Sequence, residues 1–179
     1  DRLKLVGKQL CNASGTPIQL RGWSTFRLKD ESAAYQKEHL LKTKEMGANV
    51  VRCVVYVEGN DSYTYRNDRN GTTSQVKTWI DQCAEIGLYC LVDWRVEVPG
   101  NPNDAAYNEA SNFFREITSY VKSKQYQHVL YEICDQPNGC TWTDIKQYAD
   151  KLLPIINSSN PGSIVIVGTQ QWCTLLDDY

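Results

Sequence analysis

Four short segments of the chain are almost continuously apolar. They span residues 49–57, 88–94, 128–134 and 163–168. Strands that are buried on both faces have this pattern, because helices cover each side of a parallel sheet. A shorter apolar segment at residues 18–21 precedes them and is interpreted as a first strand.

The segments that follow these strands place apolar residues three and four positions apart, which is the spacing of a half-buried helix. The predicted helices span residues 33–46, 73–86, 104–122 and 141–156. Strands and helices therefore alternate, with roughly 30 to 40 residues from one strand to the next, the length of a βα repeat. We predict one α/β domain over residues 1–179, with about five βα units and a parallel sheet.

The charge balance and the length of the apolar runs argue against two classes of binding partner, nucleic acids and membranes. The 179 residues include 19 Lys and Arg against 21 Asp and Glu, so there is no basic field for a nucleic acid. No apolar run approaches the roughly 20 residues that span a bilayer, so we expect no membrane association. The first ten residues are too polar for a signal peptide, and our expectation is that such a peptide has been removed.

Cysteines and sequons indicate an extracellular protein. Seven cysteines are many for a cytosolic domain, and they predict three disulfides with one cysteine left over. The disulfide candidates are Cys11, Cys53, Cys83, Cys90, Cys134, Cys140 and Cys173. Four N-x-S/T sequons, at Asn12, Asn60, Asn70 and Asn157, predict N-linked glycans. The two histidines are remote from any cysteine pair, so no metal site is predicted.

Aromatic residues are concentrated where the predicted strands end. These residues are Trp23, Tyr56, Trp94, Trp142 and Trp172. Binding groups in parallel α/β folds lie at the carboxyl ends of strands, where an aromatic face can stack on a sugar. The alternative is that these large side chains only cover the core.

Five stretches at these strand ends resemble family 5 glycoside hydrolases of the cellulase (endo-β-1,4-glucanase) type. They read PIQLRGWST, GANVVRCVVYVEGN, GLYCLVDWRVEVPGNPND, VLYEICDQPNG and SIVIVGTQQW, in the family's order and over nearly all of the chain. The resemblance implies an incomplete TIM-type (β/α) barrel that comprises strands one to five.

The resemblance also indicates which catalytic groups have changed. The family's acid/base is the glutamate of an Asn-Glu-Pro triplet after strand four, and this chain has Asp135, Gln136 and Pro137 there. An amide cannot release a proton at neutral pH. Two family histidines correspond to Phe26 and Arg95. The family's nucleophile lies on strand seven, for which we expect no counterpart here.

Arg52 matches the arginine of the family's second strand. Asp93 and Glu132 lie within strand patterns, and we interpret them as carboxylates satisfied by neighbouring arginines or backbone N–H groups, with Arg95 as a partner for Asp93 or Asp135. The predicted ligand-binding residues are Arg52, Trp23, Tyr56, Trp94, Arg95, Asp135, Gln136 and Trp172.

The sequence leaves three functions open. The first is a secreted pseudo-glycosidase that binds a saccharide or other small ligand without cleaving it and uses no cofactor. The second is a half-barrel with a different chemistry, of oxygenase or luciferase type, on a small apolar ligand. The third is a structural or signalling glycoprotein with a vestigial cleft. Exposed sheet edges and an open barrel interior predict a homo-oligomer; the alternative is a monomer whose open sheet is capped by residues 3–17.

Overall fold

The computed structural model describes residues 1–25, 33–59, 64–96, 100–104 and 109–175. Within them, the chain begins with an antiparallel hairpin of strands β1 (Lys4–Val6) and β2 (Gln9–Cys11). Strands β3 (Gly22–Ser24), β4 (Val50–Tyr56), β5 (Tyr89–Arg95), β6 (Val129–Glu132) and β7 (Val165–Ile166) form one parallel sheet. Their order in the sheet is their order in the chain.

Each connection between neighbouring strands of the sheet contains a helix. The helices are α1 (Ala33–Glu45), α2 (Arg69–Ile86), α3 (Ala110–Ser123) and α4 (Trp142–Ser159). Helix α2 ends at Gly87, which has a left-handed backbone (φ 79°) that favours glycine. Helix α4 begins with a capping box, in which Thr141 and Asp144 bond to each other's backbone N–H groups. The predicted parallel α/β architecture, an incomplete (β/α) barrel, is confirmed.

The first strand of the sheet, β3, begins at Gly22, immediately after the predicted range of residues 18–21. Residues 18–21 are not a strand of the sheet: the N–H of Ile18 donates to the carbonyl of Leu10 in the hairpin, whereas the carbonyl of Arg21 accepts from the N–H of Asn49 just before β4. The sheet begins at Gly22, where a Cβ would stand 1.7 Å from the carbonyl oxygen of Val50. Only glycine allows the two strands to approach this closely.

The alternation of side chains gives the sheet two different faces. The outer face is covered by helices and carries apolar side chains that are almost completely buried; these are Val51, Cys53, Val55, Cys90, Val92, Trp94, Val129 and Tyr131. They pack with helix residues such as Val76, Ile80, Phe113 and Ile117 in one hydrophobic core. The inner face carries Arg52, Asp93 and Glu132 at the intervening positions.

The N-terminal segment covers the amino end of the sheet. Leu3 is buried there, beside Val129, Leu130 and Ile164. Arg2 donates to the side chain of Asn160 at 2.8 Å, at the end of α4. The opposite, carboxyl end of the sheet is where the charged residues meet.

Candidate functional site

The candidate site is a cluster of charged side chains on the inner face of the sheet. Neighbouring positions of three adjacent strands supply Arg52 from β4, Asp93 from β5 and Glu132 from β6. The Arg52 guanidinium contacts Asp93 at 2.9 Å and Glu132 at 3.1 Å. It also contacts Asp135, just after β6, at 3.1 Å. One cation therefore serves three carboxylates.

A second arginine completes the cluster at its outer rim. Arg95, at the end of β5, contacts the other carboxylate oxygen of Asp135 at 3.2 Å. Its guanidinium lies 5.6 Å from the centre of the Tyr56 ring, within cation–π distance. Arg95 and Tyr56 are register partners on the inner face, which explains why they meet. The prediction that Arg95 pairs with Asp93 or Asp135 is confirmed for Asp135.

Burial and crowding set the protonation of this cluster. Desolvation raises the pKa of Asp93 well above its usual value, and the neighbouring Glu132 raises it further. Desolvation also raises the pKa of Glu132, although Arg52 opposes this shift. Burial disfavours the charge on Arg52, but the three carboxylates outweigh burial and raise the pKa of the guanidinium. Because three carboxylates share only two arginines in this cluster, and because burial raises the pKa of both groups, Asp93 and Glu132 tend to retain a proton between them.

Gln136 lies immediately beyond this cluster. It is half-buried and has a left-handed backbone (φ 51°), between the buried residues Asp135 and Pro137. A glutamine side chain at this point offers a hydrogen-bond donor and an acceptor but no acid. Asp135 itself is held by both arginines and is almost completely buried.

The predicted aromatic rim is only partly present. Trp172 is 53% exposed. Its backbone N–H donates to the carbonyl of Pro137 at 3.1 Å, which holds the Trp172 backbone next to the residue after Gln136. Trp142 is half-buried and packs against the core. Phe26 lies outside the described residues.

The prediction that Trp94 binds the ligand is wrong. Its side chain is 0% exposed on the outer face, with ring centres 5.0 Å from both Tyr65 and Phe113. Trp23 also differs from the prediction: it is 58% exposed, but it pairs in register with Val51 and therefore lies on the outer face, opposite Arg52. The residue next to an inward-facing position must face outward.

The sequence interpretation of Asp93 and Glu132 as carboxylates paired with arginines is confirmed, but it did not include them in the site. The signal that identifies them is the parity of their positions. Each stands at a register position that faces Arg52 or its neighbours, inside an otherwise apolar strand. A charge at such a position is costly to bury unless it is paired, so it indicates a cluster.

Cysteines and sequons have the following places in the structure. All seven cysteines are free thiols, so the three predicted disulfides are not formed in it. Asn70 and Asn157 are exposed on helices α2 and α4, Asn12 is half-buried, and Asn60 lies outside the described residues. In the described part of the chain, no group of three His, Cys, Asp or Glu side chains is arranged to hold a metal. No described helix is both long enough and apolar enough to cross a membrane.

Parallel strands in sequential order, joined by helices and carrying a charged cluster at their carboxyl ends, define a (β/α)-barrel protein with the site in the usual place for that fold. Comparison with known proteins makes this specific. Residues 11–178 match the family model described as Cellulase (glycosyl hydrolase family 5). The chain belongs to glycoside hydrolase family 5.

Its relatives include bacterial endoglucanases. The chain is 35% identical over 177 residues to Endoglucanase E-5 of Thermobifida fusca, which covers 97% of this chain and 36% of that protein. It is 36% identical over 182 residues to an endoglucanase of Clostridium saccharobutylicum, covering 98% of this chain and 39% of that protein. The chain thus spans well under half the length of these relatives.

Solved structures agree. The catalytic domain of Thermobifida fusca endoglucanase Cel5A superimposes with a TM-score of 0.85 at 34% identity, over 96% of this chain and 55% of that domain. A variant of the same domain, solved in complex with cellotetraose, gives the same values.

Proposed function

We propose that this chain binds a β-1,4-linked gluco-oligosaccharide at the carboxyl ends of its strands and does not cleave it by the two-carboxylate route of its family. The observation that carries the proposal is Gln136. It stands where the family resemblance places the acid/base glutamate, and its amide cannot protonate a glycosidic oxygen.

The carboxylates of the cluster do not replace the missing acid. Retaining hydrolysis needs two carboxyl groups about 5–5.5 Å apart, on either side of the scissile bond. Asp93 is completely buried and cannot touch a sugar, while Glu132 and Asp135 are engaged by arginines. Carboxylates that are held by arginines in this way are suited to forming the rigid base of a binding site, and they are poorly suited to transferring protons.

Saccharide binding is supported by the groups that remain accessible at the same end of the sheet. Trp172 is 53% exposed on a turn whose backbone bonds to Pro137, the residue after Gln136, and Arg95 retains partial exposure over the Tyr56 ring. These side chains offer an aromatic face and polar donors, which together suit a hydroxyl-rich ring. The cellotetraose complex of the related Cel5A domain indicates the class of ligand.

Binding is tested by titration calorimetry with cellotetraose on the wild-type chain. Trp172→Ala should weaken the affinity about fivefold, because one aromatic stacking contact contributes about 1 kcal/mol. Met46→Ala is the matched control, since Met46 is 71% exposed in the turn before β4 and lies at the other end of the sheet. Failure of the wild-type chain to bind cellotetraose would refute the proposal.

Catalysis is tested separately, by chromatography of cellotetraose after long incubation. We expect no shortened products from the wild-type chain. Gln136→Glu should also give none, because it restores a proton donor without a free nucleophilic carboxylate. Cleavage by Gln136→Glu would mean that a carboxylate of the Arg52 cluster acts as the nucleophile, and cleavage by the wild type would contradict the loss of acid/base chemistry.

We also propose that the protein is an extracellular glycoprotein. The exposure of Asn70 and Asn157 gives a glycosyltransferase access to both side chains. Asn12 is more restrained, because its side-chain oxygen accepts hydrogen bonds from the Ser14 hydroxyl and the Thr16 N–H. Intact mass before and after glycosidase treatment, on protein secreted from a eukaryotic host, should show glycans; an unmodified mass would contradict the assignment.

The sheet edges support self-association of the 179-residue chain. Strand β3 is exposed throughout, and β7 pairs with β6 through only two residues, Val165 and Ile166. Each of these strands ends the order of the described sheet and leaves backbone groups available for pairing. Light scattering on the deglycosylated protein at micromolar concentration should give a mass of at least two chains of 20.4 kDa each. A monomer would contradict this expectation.

A further inference from the structure

Six of the seven cysteines fall into two clusters that differ in solvent access. Cys53, Cys83 and Cys90 are 0% exposed in the layer between the outer face of the sheet and α2. Cys134, Cys140 and Cys173 gather at the carboxyl end of the sheet, where they are buried, half-buried and exposed in turn. We name the second group the rim cluster. Its graded exposure distinguishes it, because an exposed thiol can react with a solute and a buried one cannot.

Gly168 joins two members of the rim cluster. Its backbone N–H lies near the thiol of Cys134 and opposes the rise in the pKa of that thiol. A Cβ added to Gly168 would stand 2.7 Å from the Cys134 carbonyl oxygen and 3.0 Å from the Cys173 sulfur. Cys134 and Cys173 therefore flank a residue that has no side chain to separate them.

The charge interactions of the Cys134 thiol favour Cys173 over Cys140 as its disulfide partner. Burial is the largest of the causes that raise the pKa of the Cys134 thiol to about 12, and negative charge on two neighbouring thiols, Cys173 and Cys140, contributes to that rise. Of these two neighbours, Cys173 has the larger effect. Both the contacts of Gly168 and the charge interaction thus favour the pair Cys134 and Cys173.

The turn that carries Cys173 has an unfavourable backbone conformation. Gln171, Trp172 and Cys173 have consecutive φ angles of 52°, 56° and 65°. Residues with a Cβ disfavour this left-handed region. The turn is held to the end of β6 by the hydrogen bond from the Trp172 N–H to the Pro137 carbonyl. A covalent link at Cys173 would secure the same turn beside Gln136.

We propose that Cys134 and Cys173 form a reversible disulfide that fastens the Trp172 turn to the end of β6. The exposed Cys173 thiolate attacks a low-molecular-weight disulfide such as oxidised glutathione, forms a mixed disulfide and releases one glutathione thiolate. The Cys134 thiolate then attacks the Cys173 sulfur and displaces the second. Two protein thiols are oxidised and one oxidised glutathione is reduced to two thiols. Because Cys134 is buried, its attack is the slower step.

The test is oxidation of the folded chain with oxidised glutathione, followed by alkylation, digestion and peptide mapping. The wild type should yield one linked pair, Cys134 with Cys173, and an alkylated Cys140. Cys134→Ala should stop at the mixed disulfide of Cys173, while the matched control Cys140→Ala should form the link. Neither outcome depends on saccharide binding, so the proposed function can fail without affecting this test.

Thermal unfolding provides a second measurement. Oxidation should raise the Tm of the wild type and of Cys140→Ala by several degrees, since the link closes a loop in the unfolded chain. It should leave the Tm of Cys134→Ala unchanged, and Cys134→Ser should repeat this result if the alanine variant folds poorly. A link between Cys140 and Cys173, or a wild type that stops at the mixed disulfide, would overturn the proposal.

Discussion

The two faces of the parallel sheet are built from alternate residues of the same strands, but one face is apolar and the other carries ion pairs. On the outer face, Cys90, Val92 and Trp94 of β5 are buried without charge against the helices. On the inner face of the same strand, Asp93 and Arg95 belong to a network of ion pairs. The outer face contributes stability through packing, and the inner face holds a set of charges in a fixed arrangement.

This difference shows how a sequence can hide a site inside what reads as a hydrophobic strand. The apolar outer face alternates with an inner face that carries one charged residue on β4, two on β5 and one on β6. Burying those charges is favourable only when they are paired, and Arg52 is central because it contacts a carboxylate from each neighbouring segment.

The strongest test of the outer face is Trp94→Ala. Removing a fully buried indole that packs on Tyr65, Phe113 and Phe114 should lower the free energy of unfolding by about 3–5 kcal/mol. The loss should be the same at pH 5 and pH 7, because the lost contacts carry no charge. Urea unfolding at both pH values measures it. Trp94→Phe is the control and should cost less, and a strong pH dependence would contradict the division between the faces.

The corresponding test of the inner face is Arg52→Met. Removal of the shared cation takes the contacting arginine away from the buried or half-buried carboxylates of Asp93 and Glu132 and leaves Asp135 with Arg95 alone, which should lower the free energy of unfolding by roughly 2–4 kcal/mol at pH 7. This loss should shrink toward pH 5, because protonation removes the uncompensated charges. Urea unfolding at the two pH values again provides the measurement.

Arg52→Lys is the matched control for this variant. Lysine keeps the charge but cannot contact several carboxylates with a planar fork, so its effect should be intermediate. A loss of stability in Arg52→Met that does not vary with pH would show that packing of the arginine stem, and not its charge, matters.

The sequence predicts the repeating βα architecture well, because buried strands and half-buried helices leave strong local patterns. It fails where a long-range contact decides the outcome. Residues 18–21 look like a strand, but Ile18 bonds to Leu10 of the hairpin while Arg21 bonds to Asn49 before β4, so the segment passes from one to the other. Strand β7 is shorter than its apolar segment, because its register with β6 involves only Val165 and Ile166.

The candidate site was predicted in its chemistry and only partly in its geometry. Family resemblance pointed to Arg52, Asp135 and Gln136, and the arginine contacts explain how two of them are held. Trp94 was misassigned because position along the chain was considered without the face of the strand. Asp93 and Trp94 are consecutive, so if one faces the interior the other cannot. The convergence of Cys134 and Cys173 depends on the turn after β7, which no local pattern encodes.

The smallest effect, and the most specific to the inner face, is the pH dependence of stability. The pKa values of Asp93 and Glu132 are raised in the folded chain, chiefly by desolvation, so the folded state binds protons more tightly than the unfolded state. Stability should therefore be greatest below the unfolded carboxyl pKa of about 4, as far as these groups decide it. It should fall as the pH rises through the folded pKa values, by at most about 1.4 kcal/mol per pH unit for each proton.

Asp93→Asn isolates this contribution. The variant removes the most buried carboxyl of the cluster while keeping its size, so the decline in stability with rising pH should be shallower than in the wild type. Asp150→Asn is the matched control, because Asp150 is an exposed carboxylate of α4 and does not belong to the Arg52 cluster. Unfolding free energies from urea titrations between pH 4 and pH 8 give the slope. A slope in Asp93→Asn as steep as that of the wild type would place the titrating proton elsewhere and separate the inner face from the pH response.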